Sequence, residues 1–326
     1  DSSVVGGNAY YYRVGVIKGG SEVIGKEQKL FAGNFTLVSG SIDNTVRKID
    51  SLGNEVWSFA GHTASIVGVT IDIDGFIYTS SDDNTIRKLD SNGNTISVIG
   101  TSLYRNEKIV TDLEKNIYYA SYGSIVKLDP TGNEIWKFNG FTYGVYIIAV
   151  DLNGNVYGSA NNETIKKISS DGNEITTGGW PFTGHSNRIT SIVTDNEGYV
   201  YSGSWDRTVR KINSSGNQVW KFNTVEDSIV AVDVDSSGNV YSGGWDQKIR
   251  KFNSSGELLW TFENNSNGNP DGHTDRIRTI GVDSLGNVYS GAKDNTVKKI
   301  DTNGNFVWTF DGHTNNIDHL SVFSSY

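Results

Sequence analysis

Catalysis or metal binding in this 326-residue chain would have to be built from five histidines and 37 acidic residues, because cysteine is absent. That absence removes thiolate nucleophiles, disulfides and sulfur metal sites together. Histidine is the side chain that titrates near neutral pH and the commonest metal ligand. Four of the five (His62, His185, His273 and His313) follow a glycine and precede Thr or Ser. They stand at one phase of a repeating unit, so the fold spreads them apart and does not converge them on one ion. The fifth, His319, stands alone in the last stretch of the chain. The carboxylates Asp72, Asp112, Asp151, Asp195, Asp235 and Asp283 are phased in the same way, each where a β pattern ends in a turn. An Asp there accepts backbone N–H groups and holds the turn. Asp72-Ile-Asp74-Gly75 faintly suggests calcium, but a calcium loop of the EF-hand kind spreads ligands over about 12 residues and ends in Glu. None fits, and the expectation is no metal and no cofactor.

The other chemistry-bearing residues are basic pairs and tryptophans. Arg47-Lys48, Arg87-Lys88, Lys166-Lys167, Arg210-Lys211, Arg250-Lys251 and Lys298-Lys299 look like patches for nucleic acid, yet they occur once per repeat on one strand. That is a charge ladder, and each lysine is expected to reach a turn Asp. A net charge of −9 also argues against a phosphate backbone as the main partner. No run approaches the roughly 18 apolar residues needed for a membrane span, so no membrane insertion is expected. The abundance of Asn, Gly, Ser, Thr and Tyr leans toward an extracellular or virion surface, and the Asp1-Ser2-Ser3 start is compatible with a removed signal peptide.

The elements that position these residues are short strands. Asp43, Asp83, Tyr122, Asn162, Asp206, Asp246 and Asp294 open equivalent strands at spacings of 40, 39, 40, 44, 40 and 48 residues. A period of about 40 to 45 residues with β-branched and aromatic runs bounded by Gly, Asn, Asp or Ser predicts one four-stranded propeller blade per repeat. The clearest unit has strands at Ile189–Thr194, Tyr199–Ser202, Thr208–Ile212 and Gln218–Phe222. Glycines such as Gly53, Gly75, Gly93, Gly198 and Gly304 close the turns, where φ > 0 is expected. The first repeat lacks its innermost strand, and the missing pattern is Ile317–Phe323 at the other end. The fold class is therefore all-β: a seven-bladed β-propeller with four antiparallel strands per blade. The C-terminal strand joins the N-terminal blade. Residues 1–29 form an N-terminal extension, a candidate arm with strand character over Tyr10–Ile17, and residues 30–326 form the propeller.

Gly61-His62, Gly184-His185, Gly272-His273 and Gly312-His313, each with an Asp about 20 residues later, resemble the WD-repeat family. The terminal Trp-Asp dipeptide is replaced by Ile49-Asp50, Leu89-Asp90, Leu128-Asp129 or Ile212-Asn213. Val46–Asp50 and Ala149–Tyr157 resemble NHL-type repeats. The WD-repeat resemblance implies a structural role for His62, His185, His273 and His313, hydrogen-bonded to turn carboxylates from the set Asp43, Asp206, Asp246 and Asp294. Trp57, Trp136, Trp220, Trp260 and Trp308 resemble the tryptophans of quinone-cofactor propellers, but a repeated outer-strand Trp packs blade against blade. Trp180 is displaced by an insertion.

Trp205 and Trp245 break the pattern, since their equivalents are Ile42, Asp82, Ser121, Asn161 and Lys293. With Arg188, His185, Arg207 and Gln247 they form the candidate binding set, in neighbouring repeats and on one face. The expected function is a non-enzymatic binding or scaffolding propeller that presents a protein-interaction surface, including as a subunit of a larger assembly. The alternative is a glycan-binding, lectin-like surface protein that uses the indoles as stacking plates. Third comes a propeller enzyme, for which the unphased residues are His319, Arg278 and Asp318, with an Arg278–Asp318 pair as the plainer account.

Overall fold

The computed structural model describes residues 9–12, 15–18, 21–24, 28–31, 35–101, 108–160, 162–223, 227–264 and 271–324, with side chains over 35–323. Seven four-stranded antiparallel sheets follow one another as blades. The innermost strands are Ile66–Ile71, Ile109–Thr111, Val145–Val150, Ile189–Thr194, Ile229–Val234 and Ile277–Val282 in blades two to seven. The first blade takes its innermost strand, Ile317–Ser324, from the C-terminal end, paired with Phe35–Ser41 from Ile317↔Ser41 to Ser324↔Phe35. Each innermost strand touches those of the two neighbouring blades, so the ring closes on itself. This closure leaves no free sheet edge between the first and last blades.

Residue type follows radius. Second strands such as Ile77–Ser81 and Val200–Ser204 are buried along their whole length, whereas fourth strands such as Gln218–Asn223 alternate toward solvent. Small residues on the second strands let the blades approach: a Cβ on Gly203 would lie 2.6 Å from Ile229 Cγ2 of the next blade. Tyr78, Tyr118, Tyr157, Tyr201, Tyr241 and Tyr289 are fully buried. Each hydroxyl donates to the Asp that holds the first turn, as in Tyr201 Oη to Asp195 Oδ2 at 2.9 Å. Burial and that carboxylate push these phenols well above their ordinary value. The turn aspartates thus serve as internal acceptors, a role that leaves less of each carboxylate for an ion.

Adjacent blades are latched by tryptophan. The Trp57 indole donates to Ser91 O of the next blade at 3.0 Å, and Trp136, Trp220, Trp260 and Trp308 do the same one blade on. Trp180, out of register in the sequence, makes the same bond to Ser214 O at 3.0 Å. Gly93, at φ 84°, would place a Cβ 2.9 Å from the Trp57 ring, so both backbone and packing demand glycine there.

The basic pairs correct one expectation. Lys48, Lys167, Lys251 and Lys299 reach the same third-turn carbonyls as the tryptophans, not a turn Asp, at 3.1–3.5 Å. The Nζ groups of Lys167, Lys251 and Lys299 lie over buried aromatic rings, with Lys251 Nζ 5.1 Å from the Tyr241 centroid. At the same strand position in blade three, Lys127 Nζ lies 3.9 Å from Asp112 Oδ2.

Near the N-terminus the stretch expected as one strand is two. Ala9–Tyr12 pairs with Gln28–Phe31, and between them Gly15–Lys18 pairs with Ser21–Ile24. Arg13 and Val14 lie outside the described residues.

Candidate functional site

The turns between second and third strands, with the loops leading into each first strand, make one face of the ring, here the upper face. Its scaffold is a repeated histidine knot. His185 bonds Asp206 Oδ2 through Nδ1 at 2.9 Å and Ser202 Oγ through Nε2 at 2.7 Å. Asp206 also accepts from Thr208 Oγ1 and the backbone N–H groups of Thr208 and Ser186. His62–Asp83, His273–Asp294 and His313–Asp43 repeat the arrangement at 2.8, 2.9 and 3.1 Å. Burial alone would raise these carboxyls, but the His and Thr hydrogen bonds outweigh it and hold Asp83 and Asp294 down at about 2. Asp206 and Asp43 go lower still. Burial keeps the His62 and His185 imidazoles below their ordinary value. His185 is therefore an inward-facing neutral base with both nitrogens engaged and no surface for a partner, unlike its place in the candidate set. Asp246 has no histidine and pairs with Arg250 at 2.6 Å.

Above this scaffold one corner differs. The first strands of blades one, two and four to seven each carry a bulge after their first residue. The bulged residues Val67, Tyr146, Thr190, Val230, Arg278 and Asp318 line the mouth of the central bore, in keeping with the way bulges re-aim side chains. From Tyr146 a row runs outward over four blades. The Arg188 guanidinium lies 4.2 Å from the Tyr146 ring centre and 5.3 Å from that of Trp205. Trp205 and Trp245 meet at 5.4 Å with their planes 52° apart. Arg276 caps the far side of Trp245 at 4.2 Å. Neither Arg188 nor Arg276 has a carboxylate partner among the described residues. Arg188 Nε and Trp245 Nε1 are buried without a hydrogen-bond acceptor.

The structure thus brings Trp205, Trp245 and Arg188 together. The indoles are half-buried and lean on one another, so they are not the freely exposed plates of a sugar-stacking platform. Arg207 and Gln247 stand beside the row in the turns, at φ 67° and 64°. Blades one, two and seven use Asn44, Asn84 and Asn295 at the same turn position, a residue type that tolerates the left-handed region. Two longer side chains are held there at a backbone cost, on the two blades that carry the extra tryptophans. Asn161, a repeat equivalent of Trp205, lies outside the described residues.

Tyr146 and Arg276 were not singled out from sequence. Arg276 occupies the same repeat position as Arg188, since Lys293 N bonds Arg276 O as Trp205 N bonds Arg188 O. Subtraction of the repeat at that position, where blades two and six have Ser65 and Ser228, would have found it. Tyr146 carries no such signal, because only the bulge turns it into the mouth.

The bore gathers the unphased charges. Arg278 Nε donates to Asp318 Oδ1 at 2.9 Å, so the expected pair is formed and closed on itself. Lys108, Asp233 and His319 line the same cavity of about 700 Å³. All three are half-buried. Burial, aided by the charges of Lys108 and Arg278, drops the His319 imidazole to about 3, so it is a neutral donor and acceptor at physiological pH. Burial lifts the Asp233 carboxyl to about 6, although Val234 and Val282 donate their N–H groups to it at 2.9 Å. Among the described residues no group of His, Asp and Glu has metal-ligand geometry.

A family model described as "WD domain, G-beta repeat" matches residues 53–90 and 179–213. Each matched segment contains one complete histidine knot, His62–Asp83 or His185–Asp206. The His273–Asp294 unit carries a longer insertion, and the His313–Asp43 unit is divided between the two ends of the chain. No curated protein matches the chain. With seven four-stranded blades and the knot chemistry, the chain resembles WD-repeat β-propellers.

Proposed function

We propose that this propeller is a non-enzymatic scaffold that holds a protein partner across one corner of its upper face, over blades four to seven. The observation that carries the reading is the row Tyr146, Arg188, Trp205, Trp245 and Arg276. A WD-repeat propeller is consistent with such a role. Aromatic and arginine side chains at the centre of a patch are the composition of interface hot spots. None of the five is required by the repeat.

The row also describes the partner. In a chain of net charge −9, this corner presents two guanidinium groups without carboxylates of their own. An extended, acidic protein segment satisfies that demand, whether it comes from a soluble partner or from a neighbour in a larger assembly. A glycan reading is disfavoured because one face of each indole is already taken, that of Trp245 by Arg276 and that of Trp205 by Arg188.

Selection of displayed random peptides on the full chain tests the reading. Enriched sequences are expected to be acidic, and Trp205→Ala and Trp245→Ala are each expected to weaken their binding by at least about 2 kcal/mol, or about 30-fold. Peptides that bind both variants as well as the parent, or a glycan array that responds where peptides do not, would overturn it.

A further inference from the structure

We propose that the bore of the propeller is a binding site for a small zwitterion, with a carboxylate of the ligand on Lys108 and its ammonium on Asp233. This goes beyond the partner surface on the upper face and rests on Lys108 and Asp233, while Tyr146, Arg188 and Trp205 of that surface border the same cavity.

Six charged side chains line the cavity: Asp82, Lys108, Arg188, Asp233, Arg278 and Asp318. Arg278 and Asp318 form a closed pair at 2.9 Å. Lys108 and Asp233 feel each other's charge but form no ion pair. They sit three blades apart in a ring of seven. Lys108 Nζ has no hydrogen bond among the described residues. Each Asp233 oxygen accepts one backbone N–H, which leaves a carboxylate with further acceptor capacity. An ammonium confined in a narrow bore without a partner is costly. A molecule carrying both charges would satisfy the two walls at once.

The ring does not require either residue. At the position of Lys108 the other blades place Gly68, Ile147, Ser191, Ala231, Thr279 and His319. At that of Asp233 they place Thr70, Val110, Ala149, Val193, Gly281 and Ser321. The neutral His319 imidazole adds a donor and an acceptor to the same cavity. A simple anion site is a poorer fit, because the three acids of the lining balance its three bases. The cavity of about 700 Å³ lies within the range of small-molecule pockets, about 300–1,000 Å³.

The test is calorimetric titration of the full chain with alanine, serine and lysine, and with propionate and propylamine as singly charged counterparts. At least one amino acid is expected to bind, one per chain, and at least about tenfold more tightly than either counterpart. Lys108→Met and Asp233→Asn are each expected to weaken that binding about tenfold or more, whereas Lys108→Arg keeps most of it. Trp245→Ala, outside the cavity lining, leaves it unchanged, which separates this site from the partner surface. The proposal is overturned if no amino acid binds at about 10 mM, if propionate or propylamine binds equally well, or if both charge-removing variants bind like the parent. Melting curves without ligand supply a second readout. Loss of an unpaired confined charge leaves stability unchanged or higher; a Lys108→Met melting point well below the parent's would make Lys108 structural and end the proposal.

Discussion

Blades five and six carry the same Trp-Asp turn and hold it by different means. In blade five, Asp206 accepts from His185, Thr208 and Ser186, with Arg210 at 3.5 Å. In blade six there is no histidine, and Asp246 is held by Arg250 at 2.6 Å and the Lys248 N–H. Yet Trp205 and Trp245 emerge from both turns and meet at 5.4 Å. The tryptophans are therefore independent of how the turn is built. What the two blades share is what they present outward, and what they do not share is how they stay folded.

Breaking each anchor gives the largest separation between the two blades. Asp206→Ala strands a buried imidazole and several N–H groups and is expected to cost about 3–5 kcal/mol. Asp246→Ala removes fewer bonds and is expected to cost about 1–3 kcal/mol. Urea denaturation of the two variants measures the difference, and equal losses would show that the histidine knot adds nothing to the arginine anchor.

Acid should sharpen the contrast. His185 in the fold lies below its ordinary 6.5, and Asp206 below its ordinary 3.8. Both are depressed, so the stability they contribute is complete above those ordinary values and is lost as pH falls. The His185 part goes from about 6.5 downward and the Asp206 part below about 4. Hydrogen exchange across this window is expected to loosen the turn of blade five before that of blade six. His185→Gln is expected to flatten the upper part of the response.

The smallest effect concerns the left-handed turn residues. Arg207→Asn and Gln247→Asn match the asparagines of blades one, two and seven and are each expected to raise stability by about 0.5–1 kcal/mol. If the proposed surface is real, the same changes weaken peptide capture. Greater stability with unchanged capture would place these two side chains outside the binding surface.

Much of the ring was legible because a repeat states the same physical requirement seven times. The glycines that close the turns, the split first blade and the match of Ile317–Ser324 to the missing innermost strand all follow from phase and pattern. A sequence shows opposite charges but not the backbone carbonyls of the next blade, which Lys48, Lys167, Lys251 and Lys299 reach instead of a turn Asp. Trp180 looked displaced, yet Gly178 and Gly179 fold the insertion back against the next blade and restore its bond to Ser214. Subtraction of the repeat singled out Trp205 and Trp245, and Arg188 followed from its place near them. The same procedure at other positions reaches Arg276, Lys108 and Asp233.

From sequence alone came the number of blades, the closure of the ring and the structural place of the histidines, since each is a local pattern repeated at fixed spacing. Only the tertiary structure decided which departures from the pattern meet. Tyr146, Arg188, Trp205, Trp245 and Arg276 span 130 positions of chain, and Lys108 faces Asp233 across the bore. Those distances are set by the curvature of the ring and by bulges that turn side chains inward, and neither is written in the spacing of residues along the chain.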